Sequence, residues 1–192
     1  MRMLLALSAL CLGLHAAAAA EITSAYTTFD LDTCDVIEKG DEYVYAGTWA
    51  CPGEAGIDIV QSYGDDRAYV AFGKNATKHC AFRKTFSPFN TALSPVEWRV
   101  RDGKPFAAIE RWSVVSGDNG NSVTWLVVNA LRDGDSCHVH YVAGSYPDAN
   151  TVARIMADDS ENFDCMTDTP TVDSKVGAPP IPLVSCMEME PE

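Results

Sequence analysis

No Cys-x-x-Cys pair occurs in this 192-residue chain, so thioredoxin-type redox chemistry and the common zinc ribbons lack their usual signature. There is no Gly-x-Ser-x-Gly elbow, no His-Glu-x-x-His helix and no phosphate-binding P-loop, which removes the familiar marks of serine hydrolases, zinc peptidases and nucleotide hydrolases. Positive charge is scarce: 14 Lys and Arg stand against 27 Asp and Glu, a formal net charge of −13. That balance excludes electrostatic capture of nucleic acid or an anionic membrane surface, and it admits a cationic protein or peptide as partner. Beyond residue 20 no apolar run approaches the roughly 20 residues needed to span a bilayer.

What is present begins with MRMLLALSALCLGLHAAAAAE. Arg2 precedes an apolar run, Leu4–Leu14, and Ala16–Ala20 offers the small residues a signal peptidase reads. Residues 1–20 are expected to be a cleaved export signal, which places the protein in the periplasm or outside the cell. Cleavage after Ala20 leaves 172 residues, removes Arg2 and Cys11, and takes the charge to 13 − 27 = −14. Six cysteines remain. In an oxidising compartment an even number implies three disulfides, drawn from 15 possible pairings.

Aromatic alternation in EYVYAGTWAC puts Tyr43, Tyr45, Gly47, Trp49 and Cys51 on one face of a half-buried strand. IDIVQSY and RAYVAFG follow as a hairpin with Gly64 and Asp65 at its tip. Residues 74–95 have little periodicity and read as a long connection, with at most a turn of helix around Ala76–Phe82. Then four β-rich runs, VEWRVR, PFAAIERWSVV, SVTWLVVNALR and CHVHYVAG, are joined by Asp-Gly and Asn-Gly turns, a strong antiparallel meander signal. SVTWLVVNAL is apolar at both parities and should be a central strand covered on both faces. Ala149, Val152, Ala153 and Met156 fall at i, i+3, i+4 and i+7, predicting one amphipathic helix packed on the meander, with Arg154, Asp158 and Asp159 toward water. The expected fold is α+β: a mainly antiparallel, disulfide-stapled domain over residues 21–166. An acidic, proline-containing tail follows, 167–192, held by Cys186 alone.

The strings FN (89–90), VEWR (96–99), GKPFAAIERW (103–112), LVV (126–128), CHV-YV (137–142) and ANTVARIMAD followed by F-x-C (149–165) resemble a family of small exported bacterial proteins with no assigned activity. The resemblance covers most of residues 26–166. It implies a bacterial origin and a periplasmic or extracellular site, and its motifs concern the fold rather than a mechanism.

Cys34 and Cys51 flank the first strand unit, 17 positions apart, and are expected to pair. Cys137 opens the last meander strand and Cys165 follows the helix, so a bridge there clamps helix to sheet; Cys80–Cys186 then holds the tail. Candidate chemistry centres on SCHVH. On a regular strand His138 and His140 project from one face, opposite Cys137, as two imidazoles meeting zinc or copper would. A third ligand is needed, and His79 supplies it if Cys80 pairs with Cys137 instead. Without it, two histidines fall short of a site, and no cofactor is called for. The carboxylate neighbours Asp65/Asp66 and Asp158/Asp159 have the residue types of a glycosidase, though only their separation in space decides that. Trp98, Arg99, Arg101, Arg111 and Trp112 have the composition of a recognition surface. Against this, strand parity puts the tryptophans in the core and leaves Arg99 and Arg101 to pair with acids across the sheet. The reading favoured by these residues is a non-catalytic binding protein, an inhibitor or ligand of a cationic protein in the cell envelope. The alternative is metal binding or a metal-assisted enzyme at His138 and His140.

Overall fold

The structure, a computed structural model, describes residues 21–40, 45–117 and 119–189; the expected export signal and Tyr43 lie outside them. Along the chain run β1 (Ile22–Thr27), β2 (Asp35–Lys39), β3 (Gly47–Cys51), β4 (Ile59–Gly64), β5 (Arg67–Phe72), β6 (Asn90–Arg101), β7 (Lys104–Val115), β8 (Ser122–Arg132), β9 (Asp135–Ala143), α1 (Ala149–Asp158) and β10 (Thr171–Asp173). They form a six-stranded sheet in the order β1-β6-β7-β8-β9-β10 and a four-stranded sheet in the order β2-β3-β4-β5. Every pairing is antiparallel except β9–β10. This is the α+β, disulfide-stapled, mainly antiparallel architecture.

The turns follow from residues that tolerate a left-handed backbone. Asp102 and Gly103 take φ of 50° and 74° between β6 and β7, the conformation a two-residue hairpin loop requires. The β4–β5 tip lies one residue later than expected: Gly64 pairs with Arg67, so Asp65 and Asp66 are the loop, both with positive φ. Aspartate reaches this region because its short side chain costs less there than other β-carbon residues. The connection 74–89 holds two short 3-10 turns, Ala76–Lys78 and Ala81–Arg83, and β6 begins at Asn90, earlier than the apolar pattern indicated.

The two sheets face each other across the main core. Ile59, Val70 and Phe72 of the small sheet meet Val96, Trp98, Trp112 and Tyr141 of the large one, with Phe72 edge-on to Trp98 at 5.3 Å. Both tryptophans are therefore core residues, not a recognition surface. The other face of the large sheet carries α1. Ala149, Ala153 and Ala157, four residues apart, press against Leu126, Val128 and Ala130, and their small size lets the helix lie close. Strand β8 is thus covered on both faces, as its doubly apolar pattern requires.

Arg154 and Asp158 stay partly in water, with side chains 38% and 29% exposed, but both reach back to the sheet. Arg154 Nε lies 2.6 Å from Glu97 Oε1, and Asp158 receives a two-pronged contact from Arg99 at 2.7 and 2.8 Å. Arg101 pairs with Glu161 just after the helix. The arginines of β6 therefore bind acids on and beyond α1 rather than across the sheet. The tail differs from expectation more strongly. It adds β10 beside β9, buries Ile181 in the core and receives a hydrogen bond from the Ser87 amide at Pro180 O, 2.8 Å. Disulfides join Cys34 to Cys51, Cys137 to Cys165 and Cys80 to Cys186. No helix among the described residues is long and apolar enough to cross a membrane.

Candidate functional site

The three histidines do not converge. The β8–β9 register shifts between Val128 and Asn129: Val128 pairs with His140 and Asn129 with His138, leaving Val139 as the extra residue of a bulge. The bulge breaks alternation, so His138 points between the sheets while His140 points to the helix side. His138 Nδ1 lies 2.8 Å from the Tyr141 hydroxyl, and burial, assisted by nearby Lys84, holds its pKa well below the usual histidine range. His140 Nδ1 lies 2.6 Å from Thr171 Oγ1. His79 Nδ1 lies 3.2 Å from Ser136 Oγ, and Cys80 is bonded to Cys186 rather than Cys137. Each imidazole is thus anchored by its own hydroxyl. Among the described residues no group of three or more His, Cys, Asp or Glu is placed to hold a metal.

His140 has a second consequence. Its Nε2 is 3.2 Å from Asp173 Oδ2, close enough to be an ion pair once charged. Burial lowers its pKa, with Asp173 partly offsetting that. A lowered histidine pKa means that the unfolded chain binds the proton more tightly, so stability is lost as pH falls below about 6.5. Because β10 hangs on His140 through Thr171 and Asp173, the loss should appear there first. Hydrogen exchange at Val172 and Asp173, corrected for intrinsic rates, is expected to be faster at pH 5 than at pH 7. Equal protection at both pH values would contradict this.

A buried polar cluster lies between the sheets. Glu110 is 1% exposed and receives hydrogen bonds from Trp112 Nε1 at 2.8 Å and Asn129 Nδ2 at 3.0 Å. Burial outweighs both donors and pushes its pKa up to about 8. Proximity to Glu110 and burial raise the Tyr141 phenol, with burial the larger cause. These titratable groups are sealed from solvent, so no substrate reaches them. The surface carboxylate neighbours fare no better: Asp65 binds Arg67, Asp66 accepts from the Tyr63 hydroxyl, and Asp158 binds Arg99. None forms an opposed acid pair.

An open cleft of about 570 Å³ lies at one end of the space between the sheets. Three segments build it. The turn after β1 brings Phe29, Asp30, Leu31 and Asp32; β4 brings Gln61 and Tyr63; the first half of β6 forms the far wall. Alternation along β4 puts Ile59, Gln61 and Tyr63 on the inner face, so Gln61 projects between the sheets at the cleft floor. It is 2% exposed, and its Oε1 has no hydrogen-bond partner. Tyr45, 60% exposed, stacks on Trp49 (centroids 5.7 Å apart, planes 21° apart) and meets Tyr63 at 5.8 Å. Burial, then the Asp66 charge, raises the Tyr63 pKa, so its phenol stays protonated and donates to Asp66. Asp30 Oδ1 accepts from the Asp32 amide at 3.1 Å, and neither carboxylate has an ion-pair partner among the described residues. Among the described residues no Lys, Arg or His lines the cleft.

Sequence reasoning picked out Tyr45 and Trp49 as strand aromatics but not Asp30, Asp32 or Gln61. The cleft is assembled from residues as far apart in sequence as Phe29 and Ser94, and only a polar Gln at an inward parity of β4 hinted at it. No protein-family model matches the chain, and neither a curated protein nor a solved structure matches it.

Proposed function

We propose that this is an exported, non-catalytic binding protein, and that the acidic, aromatic-walled cleft between the sheets holds a basic segment of a cationic partner protein or peptide. The observation that carries the reading is the pair Asp30 and Asp32, without an ion-pair partner among the described residues, beside an exposed tyrosine wall. Aromatic faces and carboxylates together attract a cation that also carries apolar atoms, whereas a neutral or anionic ligand gains little from the acids. The charge of −14 without the signal segment adds long-range steering toward a basic partner. Three disulfides fit an oxidising compartment, the periplasm or the extracellular space. Inhibition of a basic enzyme in the cell envelope is the sharpest form of this reading.

Both aspartates are exposed, so replacing them should leave the fold intact. The double variant Asp30→Asn/Asp32→Asn is expected to bind a basic partner captured from the cell envelope about tenfold more weakly. That loss corresponds to about 1.4 kcal/mol, with thermal unfolding unchanged. Raising the salt should weaken the native protein more than the variant. Equal capture by both proteins at every salt concentration would remove the cleft from the reading.

A further inference from the structure

The cleft offers a specific shape of acceptor, and this inference rests on the reading above while going beyond it. We infer that the group taken up is the guanidinium of an arginine side chain, presented by the partner polypeptide, rather than a lysine ammonium. Three features of different kinds meet there. The outer face of Tyr45 is a flat, exposed ring braced from behind by Trp49 and from the side by Tyr63. The Asp30 and Asp32 carboxylates stand at the rim without an ion-pair partner among the described residues. At the floor Gln61 is buried with Oε1 unpartnered, the kind of buried acceptor that proteins normally satisfy.

Guanidinium matches all three at once. It is planar and weakly hydrated, so it stacks on an aromatic face, and its five N–H donors fan out in one plane toward acceptors on different sides. With the plane against Tyr45, the outward donors meet the two carboxylates while an inward donor reaches Gln61 Oε1 after a small rotation of the amide. An ammonium is a compact, strongly hydrated point charge; it would satisfy the rim but gain neither the flat stacking nor a donor at the floor without shedding its water. The other large cleft makes the contrast. Among the described residues it is lined by Arg67, Arg83 and Lys84 and one acid, Glu188, a balance with the wrong sign for a cation.

The test is a heteronuclear NMR titration of the intact, oxidised protein with three probes: acetyl-Gly-Arg-Gly-amide, its lysine counterpart and a neutral chitotriose. The arginine peptide is expected to shift the Gln61 side-chain amide and the Tyr45 and Tyr63 ring signals, and to bind at least fivefold more tightly than the lysine peptide. Gln61→Leu should erase most of that preference while lysine binding stays as it was. Tyr45→Ala, at an exposed ring, should weaken arginine binding in the same way if Gln61→Leu does not fold. Equal binding of the two peptides, both lost in Asp30→Asn/Asp32→Asn, overturns the arginine assignment and leaves the cationic-partner reading standing. If neither peptide binds, the arginine assignment falls, and the capture experiment alone then judges the broader reading. Chitotriose binding that ignores the aspartate substitutions overturns both.

Discussion

Glu110→Gln is expected to stabilise the protein by about 3 kcal/mol at pH 7 and by almost nothing at pH 4. The Glu110 carboxyl is enclosed between the sheets, and burial raises its pKa from 4.5 to about 8. In the unfolded chain the group ionises above about 4.5, but in the fold it keeps its proton until about 8. A raised pKa in the fold means that this group's stability is fully present below pH 4.5. It is lost progressively as pH climbs toward 8, at about 1.4 kcal/mol per unit. From 4.5 to 7 is about 2.5 units, which sets the expected gain when the ionisable group is removed. Glutamine keeps the shape and an acceptor for Trp112 Nε1. Asn129, whose Oδ1 has no partner, can turn its amide to accept from the new Nε2. Urea unfolding of both proteins at pH 4, 5.5, 7 and 8 checks this: the gap between them should widen with pH, and parallel curves would contradict it.

The same cluster shows what a linear sequence carries and what it leaves out. Strand parity puts Glu110 on the face of Trp112, and β7 runs regularly through both. The meander was legible because Asp-Gly and Asn-Gly turns and period-two alternation are local signals. The helix was legible because Ala149, Val152, Ala153 and Met156 fall at the i, i+3, i+4, i+7 spacing of one helix face. Alternation failed at SCHVH, where one extra residue in β9 sends His138 and His140 to opposite faces; a bulge leaves no mark in residue type. Strand β2, DVIEK, is exposed along its whole length, so it has no buried face to print a pattern. Strand β10 is three residues long and owes its place to β9, not to its own propensity. The aspects of Arg154 and Asp158 were missed for a related reason: helix periodicity says which side faces the sheet, but long side chains at its margin reach back to Glu97 and Arg99. The cleft was the least legible part. Its acids, its amide and its rings come from separate segments, and their meeting is a property of how two sheets are stacked.

Cys80→Ala/Cys186→Ala is expected to cost about 5 kcal/mol, the largest loss among the three disulfides. The bridge spans 106 residues, against 28 for Cys137–Cys165 and 17 for Cys34–Cys51. In the chain-entropy model the penalty for freeing a loop grows with the logarithm of its length, from about 3 kcal/mol for the shortest of these to nearly 5 for the longest. Alanine is the right replacement because both cysteines are buried and a hydroxyl there would lack a partner. The loss is not only in the unfolded state. The tail beyond residue 179 contacts the connection around Cys80 through bonds that gather near the bridge: Ser87 N to Pro180 O, Lys84 Nζ to Val184 O and Arg83 to Met189 O. Lys84 is buried beneath this strap, and burial lowers its pKa to about 8. Without the bridge the strap can lift, letting water reach that amine and its pKa return toward 10.5. Two measurements separate these effects. Denaturant unfolding reads the total loss, and NMR titration of Lys84 reports whether the strap has opened in the folded state. A variant that keeps both wild-type stability and a Lys84 pKa near 8 would show that the tail's own contacts, rather than the longest disulfide, hold the two ends of the chain together.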